Sequence, residues 1–246
     1  MSPSLTGRIA LVTGASRGIG RATALALAEA GAHVIAVART VGALEDLDDA
    51  IRAKGGTASL VPLDVKDGDG IDRLGLALHE RYGKLDILIG NAGALGSISP
   101  IGHLEPKDWD NVFAVNVTAN WRLIRSFDPL LRKSDAGRAV FLTSGAAWKS
   151  TPYWGLYAAT KAAVNSLVTT YANEIASTPI RVNLFSPGPV RTHMRAAAMP
   201  GEDADSLPRA ETIAPSIVAL ASPELTETGK VYDMRLGKFL SFRMPE

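Results

Sequence analysis

Thr13-Gly14-Ala15-Ser16-Arg17-Gly18-Ile19-Gly20 follows directly on the apolar run Ile9 to Val12 and opens into the Ala-rich stretch Ile19 to Ala30. Glycines between a buried strand and a helix N-terminus let the backbone turn tightly and approach a pyrophosphate. The helix offers that anion its unpaired N–H groups and the positive end of its dipole. A glycine-rich turn used only for packing is the plain alternative. Further apolar, β-branched runs follow at Val34 to Val37, Leu60 to Leu63, Leu85 to Ile89, Ala139 to Leu142 and Ile180 to Leu184. With the first run they are continuously apolar, which predicts strands buried on both faces. Lys230 to Met234 is a weaker seventh strand.

Between the runs, stretches such as Ile19 to Ala30 and Tyr157 to Ile175 space their apolar residues for helices. Strand and helix in alternation predict one α/β domain over 1–246, a doubly wound Rossmann-type sandwich with a seven-stranded, mostly parallel sheet and helices on both faces. The 246 residues, 46% of them apolar, suffice for one such domain with a sizeable core. Charge is balanced, 26 Lys and Arg against 25 Asp and Glu, and no basic block occurs, which argues against nucleic acid or a membrane as partner. The absence of Cys excludes disulfides, thiol nucleophiles and thiolate metal sites. His33, His79, His103 and His193 are scattered without metal-ligand spacing, so no metal is expected. Met1 to Ile9 does not read as a signal peptide and no run is long enough to span a membrane, so a cytoplasmic location is expected. Ser186 to Pro208, with Pro187, Pro189, Pro200 and Pro208, reads as a long irregular loop, a functional or mobile element.

The end of the second strand chooses between nicotinamide dinucleotides, because an acid there would bind a ribose 2′-OH and repel a 2′-phosphate. It reads Val37-Ala38-Arg39-Thr40, with Ala38 where the acid is expected. Arg39 and Arg17, each alone readable as a solvated surface charge, together favour NADP(H) over NAD(H).

With these residues in place the sequence resembles the short-chain dehydrogenase/reductase family, in its single-domain branch, from Gly7 to about Leu220. The resemblance rests on the glycine loop, Leu63-Asp64-Val65, Asn91-Ala92-Gly93, Val115-Asn116-Val117, Ser144, Tyr157-Ala158-Ala159-Thr160-Lys161 and Ser186-Pro187-Gly188. It implies that Gly14, Ser16, Arg17, Gly18, Ile19 and Gly20, with Arg39 and Thr40, hold the dinucleotide. It further implies that Asp64 and Val65 contact the adenine, that Asn91, Ala92 and Gly93 line the nucleotide, and that Pro187, Gly188, Val190 and Thr192 face the nicotinamide. Asn116, Ser144, Tyr157 and Lys161 would be the catalytic residues, with Asn116 positioning a water that links Lys161 to solvent and Lys161 also holding the ribose.

The residues themselves support that chemistry. Tyr157 and Lys161 lie four apart on an expected helix and share a face. A nearby cation lowers a phenol from its ordinary value near 10 by roughly 1 to 3 units, which suits Tyr157 to exchange a proton with a carbonyl or hydroxyl oxygen while hydride moves between substrate and cofactor. Ser144 falls at the carboxyl end of the fifth strand, where its hydroxyl would bond the substrate oxygen; without a nucleophile-elbow pattern it does not suggest a hydrolase.

The substrate is expected between these residues and two regions, Ala94 to Pro100 and His193 to Pro208, with His193 a candidate contact. Trp148, Tyr153 and Trp154 suggest an apolar ketone or secondary alcohol, a 3-oxoacyl thioester being one variant; packing against helices or another subunit is the alternative. The C-terminus departs from the family's Asp-Gly-Gly ending, and Phe239, Leu240 and Phe242 make an interface candidate in an expected homodimer or homotetramer. A non-catalytic NADP(H)-binding sensor or scaffold of the same fold is the alternative function; the intact four catalytic positions argue against it.

Overall fold

The computed structural model describes residues 3–242, so the extreme ends of the expected 1–246 domain, including the start of Met1 to Ile9, lie outside the described residues. Strand and helix alternate as β1 (Ile9–Thr13), α1 (Gly18–Glu29), β2 (His33–Ala38), α2 (Val41–Arg52), β3 (Thr57–Pro62), α3 (Gly68–Tyr82) and β4 (Ile87–Gly90). Then come α4 (Pro106–Phe113), α5 (Ala119–Leu131), β5 (Arg138–Leu142), the one-turn α6 (Ala146–Lys149), α7 (Gly155–Glu174) and β6 (Arg181–Ser186). The chain finishes with α8 (His193–Ala198), α9 (Ala210–Leu220), β7 (Val231–Asp233) and β8 (Lys238–Leu240).

The strands form one sheet in the order β3-β2-β1-β4-β5-β6-β7-β8, parallel up to β7. Alternate residues of each strand enter opposite cores. Val12, Ala36 and Ile89 pack with α1, α2 and α9, whereas Leu11, Ile35 and Leu88 pack with α3, α5 and α7. Apolar residues are therefore required on both faces, which is why the runs do not alternate in polarity. Local signals fix the helix ends. Asp67 caps α3 by accepting from the Gly70 N–H at 2.9 Å, and Gly83, at φ 69°, ends it in the left-handed conformation.

Three expectations need correction. The described sheet has eight strands, not seven, because β8 turns back antiparallel on β7. The Asp233 carboxylate accepts from the N–H groups of Arg235 and Leu236, and Gly237 completes the turn at φ 61°. Phe239 consequently packs edge-on against Tyr232 within the sheet, leaving Phe242 as the exposed aromatic of the described tail. The run Leu60 to Leu63 is not buried on both faces, since β3 is an edge strand whose residues are half-buried or exposed. Ser186 to Pro208 is not wholly irregular either, because it contains α8 and a 3-10 turn at Ala204–Ser206.

Arg138, at the amino end of β5, is buried and donates to the carbonyls of Gly137, Pro179, Ser222, Pro223 and Leu225. Burial lowers its pKa to about 10. It ties β5 to the turn after α9 at the end of the sheet opposite the cleft.

Candidate active site

The strand order reverses at β1, which has β2 on one side and β4 on the other, and a cleft opens there along the carboxyl ends of the strands. A cavity of about 940 Å³ occupies it. The glycine loop forms one wall. Gly14 and Gly18 adopt φ of 66° and 55°, and a Cβ on Gly20 would stand 2.2 Å from the Gly14 carbonyl oxygen. Asn91, after β4, fastens that loop: its Nδ2 donates to the Thr13 carbonyl at 2.8 Å, and its backbone N–H donates to Thr13 Oγ1 at 3.0 Å. The start of α1 carries no acid in its first turn and no side-chain cap, leaving its N–H groups to a ligand. These features fit a dinucleotide pyrophosphate.

Ser16, Arg17 and Ile19 line the same cavity, as do Arg39, Asp64, Val65, Ala92 and Gly93. Thr40 does not, being the extended residue that starts α2. Arg39 does not face an acid-free surface: its Nη1 lies 3.8 Å from Asp64 Oδ2, a carboxylate brought in from the end of β3. The sequence could not reveal this competitor, because parallel pairing alone sets the two strand ends side by side.

The opposite wall holds residues expected to be catalytic. Ser144, Tyr157, Lys161, Pro187, Gly188, Val190 and Thr192 all line the cavity. Ser144 is fixed by the Ala146 N–H, which donates to its hydroxyl at 3.2 Å. Burial pushes the Tyr157 phenol up to about 12, with its side-chain bond to Ser144 acting in the other direction. Burial lowers Lys161 to about 8, and its Nζ donates to the Leu142 carbonyl at 2.9 Å. That ammonium lies 5.6 Å from the Tyr157 ring centroid, over the face rather than against the hydroxyl. The phenol is therefore the protonated partner, ready to donate.

Asn116 lies off the cavity wall, fully buried in a π-helical segment, Ala114–Thr118. Its Oδ1 accepts from the Ala94 N–H at 2.8 Å, and its Nδ2 donates to the Ala94 carbonyl and to Thr160 Oγ1, each at 2.9 Å. Asn116 thus braces the turn before Lys161. A Cβ on Gly93 would lie 3.5 Å from its Oδ1 and 3.8 Å from Lys161 Nζ, so the two polar groups flank Gly93.

Of the three aromatics before Tyr157, Trp154 lines the cavity and meets the Tyr157 ring edge-on at 6.1 Å, while Trp148 and Tyr153 are exposed outside it. Leu95, His193, Met194, Ala197 and Ala198 complete this end. Met194, Ala197 and Ala198 fall within the His193 to Pro208 region expected to meet the substrate, where the sequence singled out His193 alone; their signal was a short alanine-rich helix within a Pro-rich stretch. Among the described residues no His, Asp and Glu group suits a metal, and no helix is long and apolar enough to cross a membrane.

Residues 8–203 match the family model described as short chain dehydrogenase. The chain is 35% identical over 238 residues to an oxidoreductase of Escherichia coli (strain K12), covering 95% of this chain and 94% of the relative. It is 37% identical over 205 residues to an NAD-dependent oxidoreductase of Mycobacterium tuberculosis (strain CDC 1551 / Oshkosh), covering 78% and 74%. A crystal structure of a short chain dehydrogenase from Shigella flexneri 2a str. 301, complexed with NADP, superposes with a TM-score of 0.91 at 35% identity, covering 96% of this chain and 100% of that one.

Proposed function

The chain belongs to the short-chain dehydrogenase/reductase family of oxidoreductases, and from that premise we propose that it is an NADP(H)-dependent enzyme interconverting a carbonyl and a secondary alcohol, with Tyr157 as the acid and base. One observation carries the reading: Ser144, Tyr157 and Lys161 share a cavity with a glycine loop and an open helix N-terminus. The bound nicotinamide supplies or accepts the hydride. Tyr157 gives its proton to the carbonyl oxygen in reduction, which a neutral phenol can do at ordinary pH. Ser144 bonds the same oxygen as charge develops on it. Lys161 brings positive charge beside the ring, and Asn116 holds Ala94 and Thr160 so that the Lys161 turn keeps its place.

The NADP(H) preference is supported by Arg17 and Arg39 on the cavity wall and opposed by the nearness of Asp64. An apolar substrate is supported by Leu95, Trp154, Met194, Ala197 and Ala198 around the reactive end. A homodimer or homotetramer in the cytoplasm completes the reading, and sedimentation tests the assembly. Titration with NADPH and NADH, followed by reduced-nicotinamide fluorescence, tests the cofactor: NADPH binds at least tenfold tighter, and equal or tighter NADH binding refutes the preference. Steady-state kinetics with apolar and sugar-like carbonyls tests the pocket, and a preference for the polar series overturns it.

A further inference from the structure

The segment from Arg191 to Arg209 leaves and re-enters the fold at one point. The two residues pair as a parallel bridge, and the Arg191 N–H donates to the Pro208 carbonyl at 2.9 Å. Its outgoing end lies over the start of α1, where Thr192 Cγ2 stands 3.4 Å from the position of a Cβ on Gly18. The returning residue, Arg209, therefore sits one bridge away from the chain that covers the α1 N-terminus, in the wall of the same cavity as Arg17 and Gly18.

The other arginines of this segment are engaged. Arg191 pairs with Asp205 at 2.5 Å, and Arg195 grips Glu202 through Nε and Nη2 at 2.5 and 2.6 Å. Arg209 is exposed and, among the described residues, pairs with no carboxylate. Glu211, in the first turn of α9, shares the cavity wall without bonding to it. Arg39 lies at the end of β2, on the side where the adenine ribose is expected, whereas Arg209 belongs to the side of the α1 N-terminus.

We propose that Arg209 is a cofactor-binding residue whose guanidinium closes on the pyrophosphate of the bound dinucleotide from the side of the Arg191 to Arg209 segment, here called the lid, opposite the N–H groups of α1. Binding then fastens the base of the lid as well as the cofactor. This rests on the dinucleotide reading above. Glu211 opposes the same anion and tempers the attraction.

The test titrates NADPH and NADH separately into the parent, Arg209→Gln, Arg209→Lys and Arg39→Gln, and follows protease cleavage of the lid with and without NADH. Arg209→Gln weakens both cofactors by the same factor, about tenfold, because they share the pyrophosphate. It also removes the protection of the lid by cofactor; Arg209→Lys keeps part of both effects, and Arg39→Gln changes chiefly NADPH binding. Unchanged binding of both cofactors by Arg209→Gln overturns the proposal, and so does a loss confined to NADPH, which would put Arg209 on the 2′-phosphate. A parent that binds neither cofactor overturns the dinucleotide reading itself, an outcome distinct from a silent Arg209. Cofactor-free melting curves that coincide with the parent's exclude a folding defect; if Arg209→Gln melts lower, Arg209→Lys carries the comparison.

Discussion

Substituting three glycines by alanine separates steric closeness from backbone conformation. At Gly20 the new methyl would stand 2.2 Å from the Gly14 carbonyl oxygen and 2.4 Å from Asn91 Nδ2, and neither is the end of a free side chain. Asn91 is held by its bond to the Thr13 carbonyl, so the methyl must push the loop away from β4 and break that bond. Overpacking of this kind costs about 1–3 kcal/mol and the lost hydrogen bond about 1 more. At about 2–4 °C per kcal/mol in a chain of this size, Gly20→Ala melts roughly 4–16 °C below the parent. Gly18→Ala meets only Thr192 Cγ2 at 3.4 Å and pays for its φ of 55° alone, about 1 kcal/mol. Gly42, in α2, has nothing within 4 Å, and Gly42→Ala raises stability by about 0.5 kcal/mol. Differential scanning calorimetry gives the order, and NADPH titration shows the Gly20 variant losing affinity with its loop. A Gly20 variant that melts within a degree of the parent, or no lower than Gly18→Ala, would refute the reasoning.

Tyr157→Phe lowers turnover by about 10²–10⁴ while leaving the NADPH dissociation constant unchanged, as stopped-flow and equilibrium titration show. In the reductive direction kcat/KM is flat below pH 8 and falls above it as Lys161, lowered to about 8, loses its proton, while the phenol at about 12 stays protonated; Lys161→Met removes that limb from the pH profile. The same depression means that the folded chain binds fewer protons than the unfolded one between pH 8 and the ordinary lysine value. The charged form therefore costs stability on the order of 3 kcal/mol below pH 8, and that cost disappears as the pH rises through the window. Chemical denaturation of parent and Lys161→Met across pH 7–10.5 reads it as a converging difference. Arg138→Met strands carbonyls on both sides of the guanidinium and costs about 3 kcal/mol or more, with NADPH affinity per folded molecule unchanged because the cavity lies at the other end of the sheet.

The strands with neighbours on both sides were legible because a parallel sheet between two helix layers needs apolar residues on both faces, as in Leu11 and Val12. The Leu60 to Leu63 run has the same composition, but its edge position is a property of strand order, which no local pattern encodes. Likewise β8 is three residues long, too short for periodicity; the Asp233 and Gly237 turn chemistry was its only sign. In the site, the glycine loop and the Tyr157 and Lys161 spacing are local and could be read directly. The Arg39 to Asp64 approach and the bonds of Asn116 to Ala94 and Thr160 join residues distant in sequence and needed the fold. The π-helical turn around Asn116 has no compositional mark.

Because the lid leaves and re-enters at the bridged pair of Arg191 and Arg209, its two ends are held together at one point of the fold. Lengthening a loop whose ends are already joined adds only about 0.6 kcal/mol per doubling. The stretch behaves as a cassette: insertions, deletions or a transplanted segment between the anchors can remodel the surface offered to substrate without disturbing the sheet. New specificities should arise by exchange at this hinge point, in evolution or in the laboratory, more readily than by changes to the walls that hold the cofactor.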